Sequence, residues 1–152
     1  MSPQPVWDLA LRVLAATLAG MAIGFERALR GKPTGTRTLG LVGFGASLAT
    51  AGTLAAPGVQ GSVEALSRVL QGVDQGVLVG IGFLAGGVIL KDQKAGTVLN
   101  LTTAAEVWVV AALGLVTAVA PWPLLGLAAL VLLALTTILR FLEKRVDLID
   151  PD

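Results

Sequence analysis

Polar side chains interrupt two long apolar stretches of this 152-residue chain. They are Gln71, Asp74 and Gln75 in the first stretch, and Thr102, Thr103 and Glu106 in the second. Oxygen ligands of this kind suit a hard cation such as Mg²⁺ better than a soft metal. The pattern therefore indicates either a path for a small solute or cation, or hydrogen bonds that hold packed helices together.

The composition places the chain in a lipid bilayer rather than in water. Hydrophobic residues make up 55% of it and charged residues 14%, and the mean hydropathy is +0.82. A soluble globular chain has about 25% charged residues, so these charges are too few to cover an apolar core in water. A soluble enzyme and a disordered segment are excluded, and the net charge of +1 argues against nucleic-acid binding.

The chain also lacks the residues on which much catalytic chemistry depends. Without Cys or His, it has no disulfide, no thiol or imidazole nucleophile, and no zinc, haem or iron–sulfur site of the ordinary kind. We expect no enzymatic activity, no catalytic residue and no cofactor, and the sequence assigns no metal ligands.

Five apolar windows define the expected architecture. They lie at about 6–25, 39–56, 69–90, 98–120 and 122–139, and each approaches the roughly 20 residues that cross a bilayer as a helix. Short polar or Pro/Gly segments separate them, and the strict alternation typical of a membrane barrel is absent. We predict an all-α polytopic membrane protein in which residues 1–152 form one five-helix transmembrane bundle, with no cytosolic domain after the fifth helix.

The basic residues predict the orientation of this bundle. Nine of the 11 basic residues fall in or beside the first loop, in the third loop, or after the fifth window. They are Arg27, Arg30, Lys32, Arg37, Lys91, Lys94, Arg140, Lys144 and Arg145. If five helices alternate, all of these lie on one side, and basic residues accumulate on the cytoplasmic side of membranes. We therefore expect the N-terminus outside and the C-terminus inside.

Glycines recur at four-residue spacing on two of the predicted helices. The series are Gly20 and Gly24, then Gly72, Gly76 and Gly80, and finally Gly82 and Gly86. Small residues let helix backbones approach closely in lipid, so these glycines predict helix packing within the bundle, the alternative being a seam between two copies. Because several helices carry such grooves and five helices enclose little interior, we expect a homodimer.

Ionisable residues inside the windows need partners, because each costs about 2.5–3.5 kcal/mol in a spanning helix. Arg12 follows Asp8 by one turn, which allows neutralisation. Arg12 and Asp74 lie about 9 Å and about 8 Å below the outer ends of their windows, and this similar depth predicts a contact between them. Glu106 lies about 12 Å from the inner end of its window, where a carboxylate is protonated unless a cation pairs with it.

One face of the third helix is polar. Arg68, Gln71, Asp74 and Gln75 fall within an arc of about 120°, and Gly82 and Gly86 extend this stripe inward. At the cytoplasmic end, Glu26 and Arg37 form a charged mouth, and Thr38 belongs to a Gly-Thr-Arg-Thr segment at the start of the second helix. The stripe and the mouth are either the lining of a solute path, or bundle contacts and an interfacial anchor.

Several blocks of sequence resemble the MgtC/SapB family of bacterial inner-membrane proteins. They are GMAIGFER at 20–27, GTRTLGLV at 35–42, SRVLQG at 67–72, GIGFLAGGVIL at 80–90 and LTTAAEVW at 101–108. The resemblance implies a five-helix membrane domain with its N-terminus outside, in the bacterial inner (plasma) membrane. It also implies a role in magnesium limitation and ion homeostasis, in which members are described as transporter-associated or as regulators of other membrane proteins, including the ATP synthase.

The chain departs from the family pattern in the membrane interior. Arg68 and Gly80 are twelve residues apart where the family usually has eight, which indicates an inserted helical turn. Asn100 stands where the family tends to have glycine, and Glu106 where it tends to have a small or hydroxyl residue. Both add polarity to the interior.

Two functions follow as expectations. The first is a transporter-like protein of magnesium homeostasis that moves a small solute or cation along polar residues of the bundle. Its candidate residues are Arg12, Glu26, Arg37, Thr38, Arg68, Gln71, Asp74, Gln75, Asn100, Thr102, Thr103 and Glu106. The alternative is a non-transporting regulatory protein that binds another membrane protein, such as an ATP synthase or a transporter. No nucleic-acid partner is expected.

Overall fold

The structure is a computed structural model that describes residues 5–29, 31–32, 34–57, 62–91 and 98–147, with side chains in these ranges except at 90, 91, 98, 133 and 136–147. It divides into two compact units, Met1–Val119 and Ala120–Asp152. The first unit contains helices α1 (Val6–Ala28), α2 (Thr36–Ala55), α3 (Val63–Val88) and α4 (Leu101–Val119). The second unit contains helix α5 (Trp122–Asp147).

The predicted helical architecture is confirmed for the described residues, which form five helices, four of them of membrane-spanning character, and one two-residue strand pair. Helices α1 to α4 are long and apolar enough to cross a membrane, whereas the apolar part of α5 in the described residues is the shorter stretch Trp122–Leu132. The fifth crossing and the orientation therefore stay predictions. Of the basic residues that predict the orientation, Arg30 and Lys94 lie outside the described residues, as do the side chains of Lys91, Arg140, Lys144 and Arg145.

Helix α3 begins six residues earlier than the apolar window. The side-chain oxygen of Ser62 accepts a hydrogen bond from the backbone N–H of Ala65 at 3.2 Å, which satisfies one of the amides that a helix leaves without a partner at its start. The residues that precede the apolar window, including Glu64, therefore also belong to the helix. The turn inserted between Arg68 and Gly80 simply lengthens this continuous helix.

A two-residue antiparallel strand pair joins α3 to α4. Strands β1 (Leu90–Lys91) and β2 (Val98–Leu99) pair with Leu90 opposite Leu99 and Lys91 opposite Val98. The sequence predicted a polar turn here and a fourth helix that begins at about residue 98. The pairing delays α4 to Leu101, and Asn100 makes the turn between strand and helix with a left-handed φ of 63°, a region that Asn tolerates better than most residues.

Close backbone contacts hold α1, α2 and α4 together. A methyl group added to Gly24 would lie 2.7 Å from the carbonyl oxygen of Gly35, and Gly20 lies equally tightly against the backbone of Leu39. On the other side of α2, a methyl group on Gly114 of α4 would lie 2.8 Å from the carbonyl oxygen of Gly43. Gly20 and Gly24, which the spacing predicts as packing residues, thus lie in an α1–α2 contact.

The glycines of α3 do not share this role within the described chain. A methyl group on Gly72, Gly76, Gly80, Gly82 or Gly86 would meet no atom within 4 Å. Helix α3 instead packs on α2 and α4 through its branched side chains Val77, Leu78 and Ile81, which contact the buried cluster of Ala46, Ala111 and Leu115. These glycines therefore make no close contact with α1, α2 or α4, unlike Gly20 and Gly24.

Candidate functional site

Arg27, near the end of α1, lies at the centre of a buried polar cluster. Its Nη1 forms an ion pair with Oε2 of Glu106, and its Nη2 donates a hydrogen bond to Oγ1 of Thr103. Its Nε donates to the backbone carbonyl oxygen of Thr34 at 3.3 Å. One guanidinium group, only 5% exposed, thus joins α1, the α1–α2 link and α4. We call this group of residues the Arg27 cluster.

Local geometry places each partner of Arg27. Thr103 and Glu106 are three residues apart in the first turns of α4, so their side chains lie on one face of that helix. Thr34 adopts a left-handed φ of 59°, which is uncommon for a β-branched residue. The hydrogen bond that the Thr34 carbonyl oxygen accepts from Arg27 stabilises this conformation.

Arg12 forms a second buried cluster toward the start of α1. Its Nε pairs with Oδ2 of Asp8 at 2.6 Å, and its Nη1 donates to the carbonyl oxygen of Thr117 at 3.0 Å. Helix α4 ends at Val119, so this carbonyl is one of the last four that have no partner within their own helix. Arg12 therefore caps the C-terminal end of α4, where a positive charge is also favoured by the helix dipole.

The contact between Arg12 and Asp74 that the sequence predicted is wrong. Among the described residues, no hydrogen bond or ion pair joins these two side chains. Asp74 lies eleven residues, about 16 Å, into α3 rather than the predicted about 8 Å, because the helix begins at Val63. In addition, α1 packs on α2 and α4, and α3 also packs on these two helices rather than mainly on α1.

The structure distributes the predicted site residues over several places. Glu106 and Thr103 come together in the Arg27 cluster, beside which Glu26 is half-buried. Asn100 caps α3 through a hydrogen bond from its Nδ2 to the carbonyl oxygen of Val88 at 3.3 Å. The remaining polar candidates apart from Asp74 are exposed, and they are Arg37, Thr38, Arg68, Gln71, Gln75 and Thr102.

Asp74 occupies a different kind of environment. It is half-buried on α3, and within the described part of the chain its Oδ1 atom is buried without a hydrogen-bond partner. A buried oxygen of this kind usually binds water or an ion. The Oδ1 atom of Asp74 is thus placed to take a ligand.

The sequence analysis did not include Arg27 among the candidate site residues. Glu106 requires a cation when it is buried, and α4 begins at Leu101, so Glu106 lies five residues, about 8 Å, from the start of its helix. Arg27 is the basic residue in the last turn of α1, at the same side of the bundle. Once the start of α4 is known, the similar positions of Arg27 and Glu106 near the ends of their helices identify them as partners.

Comparison with known proteins decides the family of the chain. The model of the MgtC family matches residues 13–145, which is most of the sequence. The chain belongs to the MgtC family. The resemblance predicted from the sequence blocks is confirmed, and with its four long apolar helices this MgtC-family chain is a multi-pass membrane protein.

Relatives of this MgtC-family chain come from several bacteria. SrpB of Synechococcus elongatus is 40% identical over 131 residues, which is 80% of this chain and 70% of SrpB. YhiD of Escherichia coli, which carries a provisional magnesium-transporter name, is 36% identical over 72% of this chain and 50% of its own length. MgtC of Salmonella typhimurium is 30% identical over 90% of this chain and 54% of its own length.

The match to MgtC and YhiD therefore spans about half the length of those relatives. No solved structure matches this MgtC-family chain at a significant level.

Proposed function

We propose that the chain is a non-catalytic protein of the bacterial inner membrane that serves magnesium homeostasis by moving a small cation past Asp74. The single observation that carries this proposal is the buried Oδ1 atom of Asp74, which has no hydrogen-bond partner in the described part of the chain. Leaving a charged group without a partner inside a membrane is costly, and a hard cation prefers carboxylate oxygen. The name of the relative YhiD supports magnesium as the cargo.

The position of Asp74 along its helix supports a transport role. Helix α3 contains 26 residues and is therefore about 39 Å long, and Asp74 lies about 16 Å from its start. A carboxylate at this place is near the middle of the helix, where binding sites of transporters commonly lie. Gln71 and Gln75, each within one turn, are exposed on the same helix and offer further oxygens.

Two other interior carboxylates, those of Glu106 and Asp8, are less suited to this task. Oε2 of Glu106 is bound by Arg27, and Oδ2 of Asp8 is bound by Arg12. An arginine partner neutralises a carboxylate and occupies the lone pairs that a cation would need. We therefore assign Glu106 and Asp8 to the positioning of helices, and Asp74 to the cation.

We propose that five helices cross the membrane and that the N-terminus lies outside. The link between α1 and α2 supports this, because Arg27 and Arg37 at its two ends and Lys32 within it are basic. Single cysteines placed at residues 6 and 147 of the naturally cysteine-free chain test this in whole cells. We expect a membrane-impermeant maleimide to label the first position but not the second, and labelling of both from outside would contradict an odd number of crossings.

Reconstitution into proteoliposomes that contain a Mg²⁺-sensitive dye tests the transport proposal. We expect Mg²⁺ uptake with the wild-type chain, and its loss with Asp74→Asn, which keeps the size and polarity of the side chain but removes its charge. Asp74→Glu is the matched control, because it keeps a carboxylate at the same position of α3 and should retain uptake. Undiminished uptake with Asp74→Asn would contradict the role of Asp74.

A regulatory function is the second candidate, and the outward side of α3 favours it. Only 6% of the membrane-length window of α3 is buried, against 28% to 50% for the other three long helices. Such a surface can receive another membrane protein, such as an ATP synthase or a transporter. The absence of Mg²⁺ uptake from folded wild-type protein would overturn transport in favour of this function.

A further inference from the structure

Helix α3 presents an unusual surface to its surroundings. Its outward side, which we call the outer face of α3, is formed by Arg68, Gln71, Gly72, Gln75, Val79 and Phe83. These residues lie within about 120° of the helix circumference at 100° per residue. All of them are exposed, with Val79 at 75% and Phe83 at 84%.

Lipid alone is a poor partner for this face. A helix that faces acyl chains is expected to be apolar, so charged and amide side chains on its lipid-facing side are unfavourable. The outer face nevertheless carries one guanidinium group and two carboxamides within two turns, at Arg68, Gln71 and Gln75. Side chains of this type in membrane helices usually form hydrogen bonds with another helix.

The glycines beside these polar groups provide an independent reason to expect a second helix. Gly24 and Gly114 each lie against the backbone of a neighbouring helix, but Gly72 and Gly76 lie open. An open glycine costs helix stability by up to about 1 kcal/mol relative to alanine. Close approach of a helix from another molecule would offset this cost.

The opposite side of α3 shows that the helix is already positioned within its own chain. Val77, Leu78 and Ile81 pack against the cluster of Ala46, Ala111 and Leu115. This packing fixes the rotation of α3 about its axis, so the outer face remains directed away from α2 and α4. Helices α2 and α4, on which α3 packs, therefore do not cover it.

The chemistry of the face is complementary to itself. Glu64 is exposed one turn before Arg68 on the same side of α3, so the acidic group of one copy can pair with the basic group of another copy across a two-fold axis. Gln71 and Gln75 both donate and accept hydrogen bonds, so each can bind its symmetry mate. A two-fold interface requires this kind of self-complementary patch.

We infer that the outer face of α3 binds the same face of a second copy of the chain, which forms a homodimer. This arrangement satisfies the polar side chains of both copies with one set of contacts. It does not depend on the transport proposal, but it places Asp74 of each copy beside the interface, so a cation path there would have walls from two chains.

Disulfide cross-linking in native membranes tests the dimer. The chain contains no Cys, so single-cysteine variants report one position each. We expect Val79→Cys and Phe83→Cys to form covalent dimers on mild oxidation. Leu41→Cys on α2, also exposed at 68%, is the matched control and should remain monomeric. Equal cross-linking at all three positions, or cross-links to a protein of different mass, would overturn the inference.

A second set of variants tests the interface without cysteines. Gly76→Leu should reduce the dimer fraction in liposomes by about tenfold, measured by energy transfer between labelled copies. Gly45→Leu is its control, since Gly45 on α2 also has open space around it. Charge reversals test the pairing of Glu64 with Arg68 of the second copy. Glu64→Arg and Arg68→Glu should each weaken the dimer, and the double reversal should restore it. A dimer fraction unchanged by Gly76→Leu would contradict the inference, whatever the flux through the protein.

Discussion

Arg12 and Arg27 lie fifteen residues apart on α1 and bind opposite ends of the same helix, α4. This spacing is about 22 Å along a helix, and the fourteen residues from Thr103 to Thr117 span about 21 Å. The two distances agree, so each guanidinium meets its partner without displacement of either helix. The pair of arginines therefore fixes both the antiparallel direction and the axial register of α1 on α4.

Removal of the Glu106 charge should destabilise the fold. Glu106→Gln leaves the buried guanidinium of Arg27 without its counter-charge, and the expected loss is about 3 kcal/mol in the free energy of unfolding. Intrinsic tryptophan fluorescence in detergent micelles measures this loss. The double variant Arg27→Met, Glu106→Leu should recover most of the stability, because it leaves no buried charge. A stable Glu106→Gln protein would contradict the structural role of the pair.

Replacement of Arg12 by lysine should separate charge from geometry. Lysine keeps the positive charge next to Asp8 but has no planar group that reaches a second acceptor, so the bond to the Thr117 carbonyl oxygen is lost. We expect a loss of about 1 kcal/mol in the free energy of unfolding. The same change at exposed Arg68, measured in monomeric detergent-solubilised protein, should leave stability unaltered. Equal effects at the two positions would refute the cap on α4.

Addition of one methyl group should discriminate between packed and open glycines. Gly43→Ala would place its Cβ 2.6 Å from the carbonyl oxygen of Ala16, which forces α1 and α2 apart. We expect a loss of about 1–3 kcal/mol in the free energy of unfolding. Gly45→Ala, two residues away with nothing within 4 Å, should be neutral or slightly stabilising because alanine favours helix. Thermal unfolding of the two variants in parallel provides the measurement.

Substitutions of Asn100 should reveal the cost of its left-handed backbone. Glycine accepts a φ of 63° without strain, so Asn100→Gly loses only the bond to the Val88 carbonyl oxygen. Asn100→Ala loses the same bond and also pays for the conformation, and should be about 1 kcal/mol less stable than the glycine variant. If the two variants unfold at the same temperature, backbone strain at this turn is refuted.

The sequence predicted the helices well because membrane thickness imposes their length. Hydropathy failed at the ends of helices, where other interactions decide. At the start of α3 the Ser62 cap adds a polar turn, and before α4 the pairing of Val98 with Lys91 holds the chain extended. These shifts moved Asp74 and Glu106 along their helices, and the depth argument that paired Asp74 with Arg12 failed as a result.

The sequence predicted that the buried carboxylate of Glu106 needs a positively charged partner, but it did not predict which residue is that partner. Burial of Glu106 required a cation, but a single helix pattern does not show which helix lies beside it. Glycine spacing has the same limit. Gly20 and Gly24 repeat like Gly72 and Gly76, yet the first pair touches a backbone and the second pair lies open. Spacing defines a groove on one helix and contains no information about what fills it.

The ion pair between Arg27 and Glu106 has a consequence for biogenesis. The two residues are 79 positions apart in the chain, and a ribosome adds about 5–20 residues per second. Arg27 is therefore synthesised several seconds before the carboxylate that it binds in the finished protein. A nascent chain that stops short of α4 has no Glu106 carboxylate for Arg27, so we expect it to be less stable in the membrane than the full chain.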